Sequence, residues 1–296
     1  MSEIAAQGIY AGLSGLDLQL DTFDFGEGVI LSQTYAHLMA PFFMYFERTT
    51  KENPFPRRLK AAHGGFGFDI VAQLYLPKDL KVVCWGDHIK VLKWLLALLR
   101  LGTKPSIVCP VISNIAFADA EVAPDNEVQL IPFEVIARQI QLESPSGQTV
   151  EETELEWVRD NWRNAGTLVN ESKELYIAIQ AHDQIQFMND TSLALLSLWA
   201  ALEDLFSPAK SELRFRISAT IAAFMEDPGK ERLSLQKRVA KLYDARSRAA
   251  HGRSNLDIKV FLDTLDLLRQ AIVKMIRDNH VPTREELEAR LFGVEY

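Results

Sequence analysis

Residues 230–252 read KERLSLQKRVAKLYDARSRAAHG, and this stretch decides the fold of the second half of the chain. It is rich in Leu, Ala, Lys, Arg and Glu and has no internal Pro or Gly, which predicts a helix over 230–251. Gly252 stands where a C′ glycine would end that helix. Further helices are predicted at 151–166, 171–188, 191–206, 210–226, 255–279 and 283–291, which gives an antiparallel helical bundle.

Two local signals define the ends of these helices. Thr191 or Asn189 is positioned to cap the helix predicted over 191–206. Asp227, Pro228 and Gly229 predict a turn between the fourth and fifth helices of the bundle.

The first half of the chain has a different pattern, in which β-rich runs alternate with turn-forming residues. Strands are predicted at 69–76, 106–112 and 128–133, and a helix at 91–101, with Gly102 as its C′ stop. A polar loop near residue 148 predicts a domain boundary. The expected fold class is therefore α+β, with an N-terminal α+β domain of unknown role at 1–148 and an all-α antiparallel helical bundle at 149–296.

Composition excludes several protein classes. The chain has 296 residues, of which 48% are hydrophobic and 24% are charged, so disorder, collagen and a disulfide scaffold are excluded. A net charge of -8 argues against a protein that coats long nucleic acid with its whole surface. Two cysteines are too few for a zinc ribbon, and the common metal, nucleotide and dinucleotide motifs are not seen, so neither a metal nor a cofactor is expected.

The hydrophobic segments indicate a soluble protein. No basic segment followed by an apolar core and a cleavage site is seen near the N-terminus, so no secretory signal is expected. The apolar run at 91–101 is too short to span a membrane and contains Lys93 and Arg100. We expect a cytoplasmic protein without membrane contact.

Charge is concentrated locally within the helical half. Residues 210–253 contain eleven basic and five acidic side chains. This excess of six positive charges is opposite in sign to the net charge of the whole chain. One interpretation is a set of solvated helix faces. The other is a phosphate-facing patch for a short RNA segment, with Lys241, Arg248 and Arg253 as the candidate contacts.

Arg246 and His251 form an R-x-x-x-x-H pair at the end of the predicted 230–251 helix. The spacing alone is weak evidence, because Arg58 and His63 share it. Five residues place the two side chains about 140° apart around a regular helix. Convergence on one phosphate therefore requires the long Arg side chain, a helix break at Gly252 or a second subunit.

The surrounding sequence resembles the Apea-like branch of the HEPN superfamily (higher eukaryotes and prokaryotes nucleotide-binding domains). Its L-Y-x-x-R-S-x-x-x-H-G segment is similar to residues 242–252, LYDARSRAAHG. Its L-E-x-L-F helix is similar to residues 202–206, LEDLF, and residues 212–216, ELRFR, are similar to the helix start that follows. The resemblance covers roughly residues 150–280 and identifies 149–296 as an Apea-like HEPN helical domain.

The resemblance implies a metal-independent endoribonuclease of a prokaryotic antiphage or toxin-type defence system. Its catalytic residues would be His251 as acid and base and Arg246 on the phosphate, and such bundles usually form homodimers. Histidine exchanges protons near neutral pH, and arginine offers a charged fork for phosphate oxygens. The alternative is a non-catalytic HEPN module for dimerisation, nucleotide binding or interaction.

Three further residues are supporting candidates. Glu203 is positioned either to pair with Arg246 or to orient His251, although a plain surface ion pair or a carboxylate at the edge of the core is an equal alternative. Ser247 follows Arg246, as is usual in the Apea-like branch. Tyr243, like Trp199, is a candidate for stacking on a base, but core packing is the favoured interpretation of both rings.

Overall fold

The computed structural model describes residues 8–40, 43–46, 58–62, 66–80, 87–120, 122–135, 140, 142, 149–206, 213–250 and 257–294. Packing divides the chain into two compact units. The first comprises Met1–Lys81, Ile107–Ala137 and Gln148–Val150, and the second comprises Val82–Ser106, Arg138–Gly147 and Glu151–Tyr296.

The first unit contains the strands that the structure describes. They are β1 Ile9–Ser14, β2 Asp17–Leu18, β3 Thr22–Asp24, β4 Ile30–Ala40, β5 Phe43–Phe46, β6 Arg58–Ala62, β7 Phe66–Leu76, β8 Val108–Ser113, β9 Leu130–Pro132 and β10 Thr149–Val150. Six of them form a sheet of order β3-β4-β7-β1-β8-β9 in which every neighbouring pair is antiparallel. Strands β5 and β6 form a separate antiparallel pair, and β2 and β10 form a short parallel pair.

Strand β1 lies inside the sheet and brings a glycine against an aromatic ring. A Cβ added to Gly12 would lie 2.7 Å from Cζ of Phe117, which belongs to the short helix α2, Phe117–Ala120. The backbone N–H of Phe117 donates to Oε1 of Gln73 on β7 at 3.0 Å. The small residue in β1 therefore allows this helix to pack closely on the sheet.

The second unit contains the other helices that the structure describes. They are α1 His88–Gly102, α3 Glu152–Glu171, α4 Lys173–Gln184, α5 Thr191–Phe206, α6 Leu213–Met225, α7 Lys230–Ala250, α8 Ile258–Arg277 and α9 Arg284–Leu291. Helix α1 packs against α3 and α4. Of the described residues, no helix combines the length and the apolar character needed to cross a membrane.

The α+β fold class is confirmed, and most predicted elements match the structure within a few residues. The predicted strands correspond to β7, β8 and β9, and the turn at 227–229 is present. The observed division does not follow the single predicted boundary near residue 148, because residues 138–147 group with the second unit and residues 148–150 with the first. Helix α1, assigned from sequence to the N-terminal domain, groups with the helices of the second unit.

Two local predictions were wrong. Gly102 is the last residue of α1 rather than a C′ residue, and a Cβ there would lie 2.6 Å from the ring of Trp157, so close packing explains the glycine. Helix α5 is capped by Asp190, not by Thr191 or Asn189, because Oδ1 of Asp190 accepts from the N–H of Leu193 at 2.8 Å.

Candidate functional site

The candidate site lies where α5 and α7 pack together, and two buried aromatic rings set the register of that contact. Trp199 of α5 is fully buried and Tyr243 of α7 is 6% exposed. Their rings meet edge to face with centroids 5.0 Å apart, a favourable aromatic geometry. Both rings are therefore core residues in this structure, in agreement with the favoured interpretation of the sequence.

This aromatic contact places Glu203 beside Arg246. Glu203 follows Trp199 by four residues and Arg246 follows Tyr243 by three, so each lies one helical turn beyond its aromatic neighbour. Nη2 of Arg246 donates to Oε2 of Glu203 at 3.3 Å and lies 3.1 Å from Oε1. The two side chains are 30% and 23% exposed, so the pair sits at the edge of the core.

The environment of this pair is only partly polar. The guanidinium carbon of Arg246 lies 5.5 Å from the ring centroid of Tyr243, which is within cation–π range. Within the described residues, Nε of Arg246 and Nε1 of Trp199 are buried and have no hydrogen-bond partner. Burial, with a further contribution from Glu203, raises the pKa of the Tyr243 phenol, so this group is protonated at neutral pH.

Three other residues predicted on α7, namely Lys241, Ser247 and Arg248, do not share the face of Arg246. Lys241 and Arg248 are exposed and lie seven residues apart, which puts them on one stripe of the helix. Arg246 is about 140° from Lys241 around the axis. The hydroxyl of Ser247 donates to the carbonyl of Tyr243 at 3.4 Å, so it bonds to its own helix.

His251, Gly252 and Arg253 lie outside the described residues. Helix α7 is described to Ala250, the residue immediately before His251. The structure therefore positions the Arg246 half of the predicted catalytic pair, and the place of His251 relative to it stays a prediction.

Part of the basic excess predicted over 210–253 is neutralised by neighbouring carboxylates. Arg214 makes a bidentate contact with Asp244, with Nε to Oδ1 at 2.6 Å and Nη2 to Oδ2 at 2.7 Å. Arg214 lowers the pKa of the Asp244 carboxyl through this contact. Arg238 lies 3.8 Å from Asp263. These pairs fit solvated helix faces better than a continuous phosphate-binding surface.

A second polar cluster, which the sequence did not indicate, lies among α1, α4 and α8. Arg100 is 1% exposed and contacts the Asp183 carboxylate at 2.5 Å. His182 is 2% exposed, and Arg269 of α8 donates through Nε to the Leu101 carbonyl at 2.7 Å. Arg, His and Asp are all common on helix surfaces, so their types did not indicate a buried cluster. The only sequence signal for burial was the position of Arg100 within a mostly apolar run.

Comparisons with known proteins add no assignment. No protein-family model matches this chain, no curated protein matches it, and no solved structure matches it. The resemblance to HEPN domains therefore stays a prediction based on the sequence.

Over the part of the chain that the structure describes, no group of three or more His, Cys, Asp or Glu side chains is arranged to hold a metal ion.

Proposed function

We propose that this protein is a metal-independent endoribonuclease of the HEPN type, which acts in the cytoplasm as a homodimer within a prokaryotic defence system. One observation carries the proposal. The Glu203–Arg246 contact joins the two segments, 202–206 and 242–252, in which the sequence resembles an Apea-like HEPN domain. The two segments belong to helices far apart in the chain, so their meeting at these residues supports a shared role.

The chemistry requires three events at one RNA linkage. The ribose 2′-oxygen forms a bond to phosphorus while its proton passes to a base, and the bond from phosphorus to the 5′-oxygen breaks as that oxygen takes up a proton. His251 would transfer these protons. Arg246 would stabilise the charge on the phosphorane oxygens.

Glu203 has a positioning role in this scheme. Its Oε2 accepts a hydrogen bond from Nη2 of Arg246, its Oε1 lies 3.1 Å from the same nitrogen, and the ring of Tyr243 packs near the guanidinium. Holding the long side chain in one conformation removes part of the entropy that phosphate binding would otherwise cost. The Arg246 side chain, at 30% exposed, still has surface available to a substrate.

The alternative function is a non-catalytic module that binds nucleotides or partner proteins. The observation that favours it is the partial burial of the Glu203–Arg246 pair, which also suits a structural ion pair at the edge of the core. Such a module would bind RNA or nucleotides without cleaving them.

The Arg246→Ala variant tests the proposal. We expect it to lower the rate of RNA cleavage by about 10²- to 10³-fold, because one preorganised donor to the developing charge is lost. The matched control is Arg159→Ala, which removes an Arg that also pairs with carboxylates, on α3. Cleavage by the Arg246→Ala variant at the wild-type rate, measured on the same RNA, would overturn the assignment.

A further inference from the structure

A cavity of about 260 Å³ in the second unit is bordered by charged and polar side chains from several elements. It lies at the end of α1, beside the first turn of α3, the last turn of α4 and the middle of α8. The polar residues that line it are Thr103, Lys104, Glu154, His182, Asp266 and Arg269.

His182 is the unusual member of this lining. Its side chain is 2% exposed, and within the described residues its Nδ1 has no hydrogen-bond partner. Burial, followed by the positive charges of Arg269 and Arg100, lowers the pKa of the imidazole to about 3. His182 is therefore neutral at physiological pH and sits in a positive potential.

The cations around the cavity differ in how far they are neutralised. Arg100 contacts the Asp183 carboxylate at 2.5 Å, and Lys104, which is 5% exposed, contacts Glu154 at 3.3 Å. Arg269 uses Nε for the Leu101 carbonyl. Among the described residues, no carboxylate forms an ion pair with the Arg269 guanidinium, and this side chain borders the cavity.

The two carboxylates at the cavity are already engaged. Glu154 accepts from Lys104 through Oε1 and from the N–H of Glu151 through Oε2 at 3.0 Å. Asp266 accepts from Nε2 of Gln270 at 2.7 Å. Glu154 offsets the charge of Lys104, so Arg269 is the lining cation that has no ion-paired carboxylate among the described residues, and this favours an anionic ligand.

We propose that this cavity binds one phosphate group, either free or carried by a small metabolite, through Arg269, Lys104 and His182. The three side chains come from α8, from the segment after α1 and from α4, so they surround the space from different sides. A bound dianion also neutralises the positive potential at His182, and the site is independent of the proposed ribonuclease.

The wild-type protein provides the first test. NMR of isotope-labelled imidazole nitrogens, with inorganic phosphate titrated to millimolar concentration at constant ionic strength, should shift the His182 signals and move their titration midpoint upward from about 3. Glycerol 2-phosphate in a parallel titration distinguishes a free anion from a phosphate ester. Chloride at the same ionic strength should produce no shift. Unchanged His182 signals with both phosphate probes would overturn the proposal.

Variants provide the second test, by calorimetric titration with inorganic phosphate. Arg269→Gln should weaken phosphate binding by about 10- to 100-fold, as expected when a charged hydrogen bond is lost. Arg277→Gln is the matched control on the same helix, since its side chain is 67% exposed, and should bind phosphate like the wild type. If Arg269→Gln and Arg277→Gln bind phosphate with equal affinity, Arg269 does not contact the anion and the proposed site is wrong, even if His182 responds to phosphate.

Discussion

The His251→Ala variant is expected to cleave RNA about 10²- to 10⁴-fold more slowly than the wild-type protein. Histidine as a residue type exchanges protons near neutral pH, so His251 would both accept the proton of the 2′-hydroxyl and donate a proton to the leaving 5′-oxygen. Alanine can do neither. The rate constants are measured under single-turnover conditions on one labelled RNA, with thermal unfolding recorded for each variant to separate lost chemistry from lost folding.

His280→Ala is the matched control for this measurement. His280 follows α8, and its Nε2 lies 2.8 Å from Oε2 of Glu286, outside the contact between α5 and α7. Its removal should leave the cleavage rate unchanged. Equal activity of the His251→Ala and wild-type proteins would remove His251 from the mechanism.

Asp183→Asn should lower the free energy of unfolding by about 3 to 5 kcal/mol, which is the usual cost of breaking a buried ion pair from one side. The Arg100 guanidinium is 1% exposed, and the substitution leaves its charge without the carboxylate that it contacts at 2.5 Å. Urea unfolding at neutral pH measures the loss. A change of less than about 1 kcal/mol would show that the pair is hydrated or screened, contrary to this structure.

Two further variants separate charge from packing at this position. The double variant Arg100→Met/Asp183→Leu removes both charges, so it should be more stable than Asp183→Asn. Asp160→Asn removes one of the two exposed carboxylates that Arg159 contacts and should leave the stability almost unchanged. If the double variant is as unstable as Asp183→Asn, the loss of stability comes from packing and not from the unpaired charge.

The helices of the second unit were predictable because their signals are local. Helical residue composition and turn residues placed α5, α7 and α9 within a residue or two of the observed bounds. The cap of α5 was missed because Asn189, Asp190 and Thr191 are all good capping residues, and only the backbone path selects Asp190. The grouping of α1 with the helices depends on tertiary packing, which the order of elements along the chain does not specify.

The candidate site was predictable only in part. The sequence suggested Glu203 as a partner of Arg246 or of His251, and the edge-to-face contact between Trp199 and Tyr243 brings Glu203 to Arg246. Lys241 and Arg248 were predicted as phosphate contacts without a helix face being assigned, and the observed helix places them on a stripe away from Arg246. The buried contact of Arg100 with Asp183 joins residues 83 positions apart, and the position of Arg100 in a mostly apolar run gives no indication of which residue is its partner.

The central claim is a ribonuclease site formed by Arg246 and His251 that needs no metal. The most direct test is to identify the ends of the RNA fragments produced by the purified wild-type protein in the presence of EDTA, over a panel of single-stranded and structured RNAs. Attack by the 2′-oxygen predicts fragments with 2′,3′-cyclic phosphate and 5′-hydroxyl ends. Intact RNA across the panel, or fragments with 5′-phosphate ends, would contradict it.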